Sequence, residues 1–333
     1  MKKTIGKATV GTAAAVAAAV MTAVCAFAAP SLNRTSLSEP CNCRKYPISL
    51  KGATDAVTWK SSDSRIAAVH VPAGVSAHTA TKAYLVLRHP GTVNVTASYK
   101  GKTYTCRVTV KGNYVKESSI RKGSSVYMNT YYGAKTYTAH CQGAYGSDYI
   151  NKHGCGYCAI ATVYNVIGKN KVNGKAPASV NGRDVVRALG ERTNGIGFQT
   201  IPNDLMNRLG IYPKAKSVTL KRTATLAYIE RQLASGYPVL AHITNVNMMT
   251  GQSAASVGEK LGGDVHVISI LGVTDRKNFV IGNPNGTTYG GRQGIQIVPQ
   301  KVLIKYLLNN RPDRRDAAQV NYVNVIVIDN HPY

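Results

Sequence analysis

Between Tyr46 and Gly112 apolar residues recur at every second position in short runs split by turn formers, which leaves little freedom in how this stretch folds. The runs are Ala56 to Trp59, Ile66 to Val69, Ala83 to Leu87, Val93 to Ala97 and Tyr104 to Val110. A strand with one apolar face must bury it against a second layer, and several strands at this spacing predict a sandwich. Trp59, the single tryptophan, is expected to fill its core rather than to meet a ligand. Cys106 falls in the last strand, and Cys41 and Cys43 precede the first, so either is a candidate to staple to it.

The chain has 333 residues, with 41 basic and 15 acidic side chains and 44% hydrophobic residues, enough to bury a core and too apolar for disorder. Its formal charge of +26 calls for an anionic neighbour. Lys2, Lys3 and Lys7 ahead of an uncharged Ala/Val-rich stretch, with the small-residue pattern Ala26-Phe27-Ala28, predict a secretory signal peptide over residues 1–28. Val24 before Cys25 disfavours a lipoprotein site. Removing the three lysines leaves +23, and no later segment is apolar for long enough to span a bilayer. Secretion argues against a nucleic-acid partner, as does the even spread of charge: +9 from Ala29 to Gly112 and +14 from Asn113 to Tyr333, with no basic stripe interleaved with aromatics. An anionic cell wall or membrane face suits such a surface, and a secreted, extracellular or wall-associated location is expected. Six cysteines after Cys25 form an even set, as an oxidising compartment favours.

From Tyr114 the chain turns polar and tyrosine-rich, and residues 113–136 are expected as a linker. Next comes Gly154-Cys155-Gly156, followed by apolar residues at helical spacing until Gly168, so Cys155 is expected at a helix N-terminus. Amide groups and the helix dipole there stabilise a thiolate, and the flanking glycines would let a substrate backbone approach. A thiolate nucleophile requires a base and the base an orienting group. His266 starts one apolar strand, the turn 274–277 follows, and Asn283 ends the next strand, so an antiparallel pair brings the imidazole and the amide together.

These residues carry a resemblance. Gly154-Cys155-Gly156, then Leu233 to Leu240, then His266 to Gly272, then Ile281-Gly282-Asn283-Pro284 resemble the bacteriocin-processing-type cysteine peptidases, cysteine peptidase family thirty-nine, over roughly residues 137–310. The resemblance implies a papain-like α+β domain that cleaves peptide bonds without metal or organic cofactor. It places the nucleophile on Cys155, the base on His266, the orienting amide on Asn283 and the oxyanion-hole glutamine on Gln142. Gln142 lies 13 residues before Cys155, about twice the usual spacing, at which this chain has Tyr149, so the intervening loop must fold back. Cys158 replaces a residue that is commonly threonine or small. The first module, through Val57-Thr58-Trp59-Lys60-Ser61-Ser62-Asp63 and Gly91 to Ala97, resembles the bacterial immunoglobulin-like group 2 domain, with a longer Val75 to Val86 stretch than usual. The expected chain is multidomain: a signal peptide at 1–28, an all-β immunoglobulin-like sandwich at 38–112, a linker at 113–136 and a papain-like α+β domain at 137–333.

Two other functions compete. Cys155 and Cys158 form a C-x-x-C at a helix start, as a thiol-disulfide oxidoreductase uses, and their spacing also suits a redox switch on a peptidase. An inactive wall-binding or adhesive protein is the other. Cys141, His153, Cys155 and Cys158 match no familiar zinc spacing. His242 is expected as a plain strand histidine, and Asp264 and Asp275 as turn residues. A peptide or protein substrate is expected, and leader cleavage after double glycine is disfavoured because no membrane exporter region follows.

Overall fold

The computed structural model describes residues 29–76, 80–121, 123–211, 214–244, 265–285, 294–307 and 321–329. The expected signal segment, 1–28, and Asp264 lie outside these residues. The protein is a multi-sheet α+β chain, with a β-rich N-terminal region followed by a mixed α/β region.

Eight strands form the first region: β1 (Ser31–Leu32), β2 (Ser36–Pro40), β3 (Asn42–Lys51), β4 (Thr58–Ser61), β5 (Ala67–His70), β6 (Lys82–Leu87), β7 (Gly91–Tyr99) and β8 (Lys102–Lys111). They make two four-stranded sheets, in the orders β1-β3-β6-β5 and β2-β8-β7-β4, with β2 parallel to β8 and the other pairs antiparallel. Alternation decides which faces meet. Val93, Val95, Cys106, Val108 and Val110 of one sheet share a core with Ile48, Ala67, Ala83, Leu85 and Leu87 of the other. Trp59 packs half-buried against this core, and its Nε1–H donates to the Ala80 carbonyl at 2.8 Å. Cys41 and Cys106 are both buried in that core, where burial pushes the Cys41 thiol up to about 12, and no disulfide joins the described cysteines.

The stretch 113–136, expected as a linker, is instead built into the second region. β9 (Tyr114–Val115) pairs in parallel with Val273 and Thr274, and β10 (Ser125–Thr130) and β11 (Gly133–Thr138) form a hairpin. Its alternation was hidden because Thr130 faces in and Tyr127 faces out: Ser125, Tyr127 and Asn129 are exposed while Val126, Met128 and Thr130 are buried.

The helices α1 (Asp148–His153), α2 (Cys155–Ile167), α3 (Gly182–Leu189) and the short α4 (Ile201–Asn203) follow. Then come β12 (Lys214–Lys221), α5 (Arg222–Ala234), β13 (Val239–Thr244), β14 (Val265–Thr274), β15 (Asn278–Gly282), β16 (Ile295–Pro299), α6 (Gln300–Leu303) and β17 (Tyr322–Asp329). The sheet runs β12-β17-β13-β14-β15-β16, and β9 sits beside β14. Each face has its own core. On one side α2 packs with Val267, Leu271 and Val280; on the other Ile229 and Leu233 of α5 pack with Ile268, Ile270, Phe279 and Ile281. Only Cys155 and Asn165 of α2 escape full burial, so the helix is enclosed nearly all round.

The two regions are in contact. Cys43 N–H donates to the Tyr131 carbonyl at 2.8 Å, Asn113 N–H to the Ala234 carbonyl at 2.7 Å, and Asn113 Nδ2 to the Cys41 carbonyl at 2.9 Å. His89 Nδ1 lies 2.7 Å from Ser235 Oγ. No described helix is long and apolar enough to cross a membrane.

Candidate active site

Cys155 is the first residue of α2, half-buried, with Gly154 as N-cap. The Gly154 carbonyl accepts from Cys158 N–H at 2.9 Å, which places Cys155 in the first turn of the helix. The flanking glycines serve packing rather than leaving open space. A Cβ on Gly156 would stand 2.1 Å from Ile196 Cγ2, and one on Gly154 would stand 2.2 Å from the Ile150 carbonyl oxygen. The protein itself fills both gaps.

The antiparallel pair β14–β15 turns through Lys277 at φ 64° and sets His266 and Asn283 at the same end. His266 and Asn283 are both almost fully buried, and His266 Nε2 lies 3.0 Å from Asn283 Oδ1. The amide's orientation follows from its other partners. Asn285 N–H, which can only donate, points at the same Oδ1 at 3.0 Å, and Asn283 Nδ2 lies 3.4 Å from Gln296 Oε1. Oδ1 is therefore an acceptor, His266 carries its proton on Nε2, and the lone pair sits on Nδ1.

Gln142 is buried at the start of a 3-10 turn, Gln142–Tyr145. The insertion before Cys155 folds into this turn and α1, which Ser147 caps by accepting from Ile150 N–H. Gln142 N–H donates to the Pro284 carbonyl at 2.7 Å, and its side-chain Nε2 donates to the Asn151 carbonyl in α1. The Cys141 thiol lies 3.8 Å from the Asn283 carbonyl oxygen. Thus Asn283-Pro284 is tied to Gln142, and Gln142 to the helix that leads into Cys155. Cys155 also packs against the core that holds Val267, the neighbour of His266. Tyr149, at the commoner glutamine spacing, is occupied elsewhere: its hydroxyl donates to the Arg192 carbonyl at 2.9 Å.

Cys158 is fully buried, and desolvation, then the neighbouring Cys155 and Cys141, hold its thiol well above the ordinary range. Among the described residues no three His, Cys, Asp or Glu side chains are placed to hold a metal ion. His242 stacks on Phe198 with centroids 5.1 Å apart. Asp275 accepts from Glu117 N–H at 3.0 Å, as a turn residue would. Sequence reasoning missed Asn285, Gln296 and Asn151, of which Asn285 and Asn151 act through backbone groups and leave no residue-type signature.

His140 lies just before this turn, bonded to Asn165 of α2, and burial lowers its pKa against the opposing pull of Asn165 and Asp184. Its unfolded form takes up a proton near 6.5, where the folded form does not. His140 therefore favours folding above pH 6.5 and that contribution is lost as pH falls below it. Denaturant melts from pH 7 to 5 should show declining stability, with a shallower decline in His140→Gln; identical slopes would refute this.

No family model matches the chain, and no curated protein matches it. Among solved structures it is similar to domains 5–6 of the S-layer protein SbsC, at 15% identity and a TM-score of 0.22, covering 34% of this chain and 62% of that one. It is also similar to domains 1–6 of that protein, at 16% identity and a TM-score of 0.22, covering 44% and 20%. The chain thus spans less than two thirds of the structures it matches, and likeness of this size carries no argument about fold or activity.

Proposed function

We propose that the protein is a secreted or wall-associated cysteine peptidase or amidase, an immunoglobulin-like sandwich followed by a papain-like α+β domain. The observation that carries this reading is the Asn283-clamped imidazole: Asn283 Oδ1 fixes the His266 proton on Nε2 and so puts the basic lone pair on Nδ1. Nδ1 accepts the Cys155 proton, the thiolate attacks the carbonyl carbon of a peptide bond, and the imidazolium then protonates the leaving amine. Water hydrolyses the thioester by the same base. The oxyanion is met by the Cys155 N–H and by the second N–H of the Gln142 amide, whose first is held by Asn151. The chemistry needs no metal or organic cofactor, and the basic surface would retain the enzyme at an anionic wall or membrane face.

A peptidyl acyloxymethyl ketone tests this reading. The reduced protein should be modified on Cys155 alone among its cysteines, with no adduct in Cys155→Ala and a rate at least about 100-fold lower in His266→Ala. Modification centred on another cysteine, or an unchanged rate without His266, would sink the proposal.

A further inference from the structure

A second asparagine-clamped histidine lies one layer behind Gln142. His140 Nε2 is 2.7 Å from Asn165 Oδ1, and Asn165 Nδ2 donates to the Pro177 and Val180 carbonyls at 2.8 and 2.7 Å. Those carbonyls can only accept, so Oδ1 faces the ring, the His140 proton is on Nε2, and Nδ1 carries the lone pair. Tyr145 O–H then donates to Nδ1 at 2.9 Å, while its oxygen accepts from Gly182 N–H at 3.1 Å. Each donor in this chain meets one acceptor, and reversing any link leaves a half-buried group unmatched.

The structure assigns His140, Tyr145 and Asn165 to positioning Gln142, closing a buckle across the 140–145 turn and fixing it to α2 and α3. The inference rests on the peptidase reading above and names what holds its oxyanion donor in place. Gly143, Ala144 and Gly146 are exposed, so the apolar anchorage of the turn comes down to Cys141 and the Tyr145 ring. The rest is polar: the buckle at its ends, Arg183 to the Tyr145 carbonyl, His140 N–H to Thr162 Oγ1 at 3.1 Å, and Gln142 N–H to the Pro284 carbonyl. Without the buckle, the turn keeps its link to Pro284 but loses the fixed end that aims the Gln142 amide. The charged and titratable groups facing it are Asp184 and Arg183 from α3, the latter donating to the Tyr145 carbonyl, Cys158 from α2 and Cys141 from the turn itself.

Two reagents separate oxyanion stabilisation from thiolate reactivity. A small N-acetyl peptide aldehyde takes the Cys155 thiolate at its carbonyl carbon, and the π pair moves to oxygen, which occupies the oxyanion position and takes a proton from His266. Iodoacetamide forms an S–C bond as iodide leaves, and develops no oxyanion. Aldehyde affinity is read as protection of Cys155 from iodoacetamide. Gln142→Ala should weaken the aldehyde about 100-fold, in keeping with loss of one oxyanion donor, with an alkylation rate within about twofold of wild type. Tyr145→Phe should weaken it about tenfold, again without changing alkylation, and the double variant should be no worse than Gln142→Ala alone, because one residue acts through the other. His140→Gln, which can supply the same donor and acceptor, should stay within about threefold of wild type. Effects of Tyr145→Phe and Gln142→Ala that multiply, an aldehyde affinity untouched by Tyr145→Phe, or equal losses with both reagents would overturn the assignment. If Tyr145→Phe fails to fold, His140→Ala and the His140→Gln comparison carry the same cycle. An aldehyde that gives no protection to a normally alkylated wild-type Cys155 refutes the peptidase reading and this inference with it.

Discussion

Cys155→Ala is expected to lower kcat/KM for peptide hydrolysis by about 10,000- to 1,000,000-fold, to the residual rate that binding and oxyanion donors supply without a nucleophile. The fold should persist, because the side chain is half-buried at a helix start and alanine removes only its sulfur. His266→Ala should fall nearly as far, and combining the two should add little, since base and nucleophile act as one unit. Cys158→Ala makes the contrast. That thiol is fully buried, and a Cβ placed on Gly182 would stand 2.8 Å from its Sγ, so removing it leaves a void and costs stability while hydrolysis continues. A dithiol oxidoreductase would show the reverse dependence, needing both cysteines and neither His266 nor Asn283. Digests of a mixed peptide library read by mass spectrometry, with unfolding followed in parallel, decide the matter. Turnover that survives in Cys155→Ala would remove the nucleophile from the proposal.

How much of this was readable in advance depended on whether a residue acts by its side chain or its backbone. Period-two alternation exposed β7 and β8 because their inward residues are valine, alanine, cysteine and tyrosine and their outward ones polar or charged. The same period in β10 was masked by Thr130 facing in and Tyr127 facing out. His266 and Asn283 were found because a short turn between two apolar strands forces their ends together, whatever the rest of the chain does. Gln142 could be suggested only through the resemblance, since what brings it to Asn283-Pro284 is a backbone bond across some 140 residues, and such bonds do not select residue type. The glycines around Cys155 were visible but misread: the sequence shows that a side chain is missing, and only the fold shows that Ile150 and Ile196 occupy the space. The buckle of His140, Tyr145 and Asn165 had no sequence signal, because its parts come from three separate elements.

Gly236→Ala is expected to destabilise the protein by roughly 3 kcal/mol or more, and to do so without touching the catalytic groups. Gly236 follows α5 at φ +87°, its N–H donating to the Leu233 carbonyl at 2.8 Å while Tyr237 N–H donates to the Gln232 carbonyl at 3.0 Å. This paired closure ends a helix with a left-handed residue, where a side chain costs about 1 kcal/mol even in open space. Here the space is taken: an added Cβ would lie 2.1 Å from Tyr131 N and 2.6 Å from Thr130 C, both backbone atoms that cannot swing aside. Relief requires moving the β10–β11 turn, whose Tyr131 carbonyl accepts from Cys43 in the N-terminal region and whose ring packs 5.0 Å from Tyr237. The strain therefore spreads to the contact between the two regions. Gly146→Ala is the internal control, because at φ 59° and ψ 23° it too is left-handed but has nothing within 4 Å, and it should cost only the backbone part. Denaturant midpoints at pH 7 for the two variants test this directly, and equal losses would show that the close approach of Gly236 to Tyr131 carries no energetic weight. The stretch Leu233 to Leu240, which contributed to the peptidase resemblance, thus owes its glycine to helix closure and backbone contact rather than to catalysis.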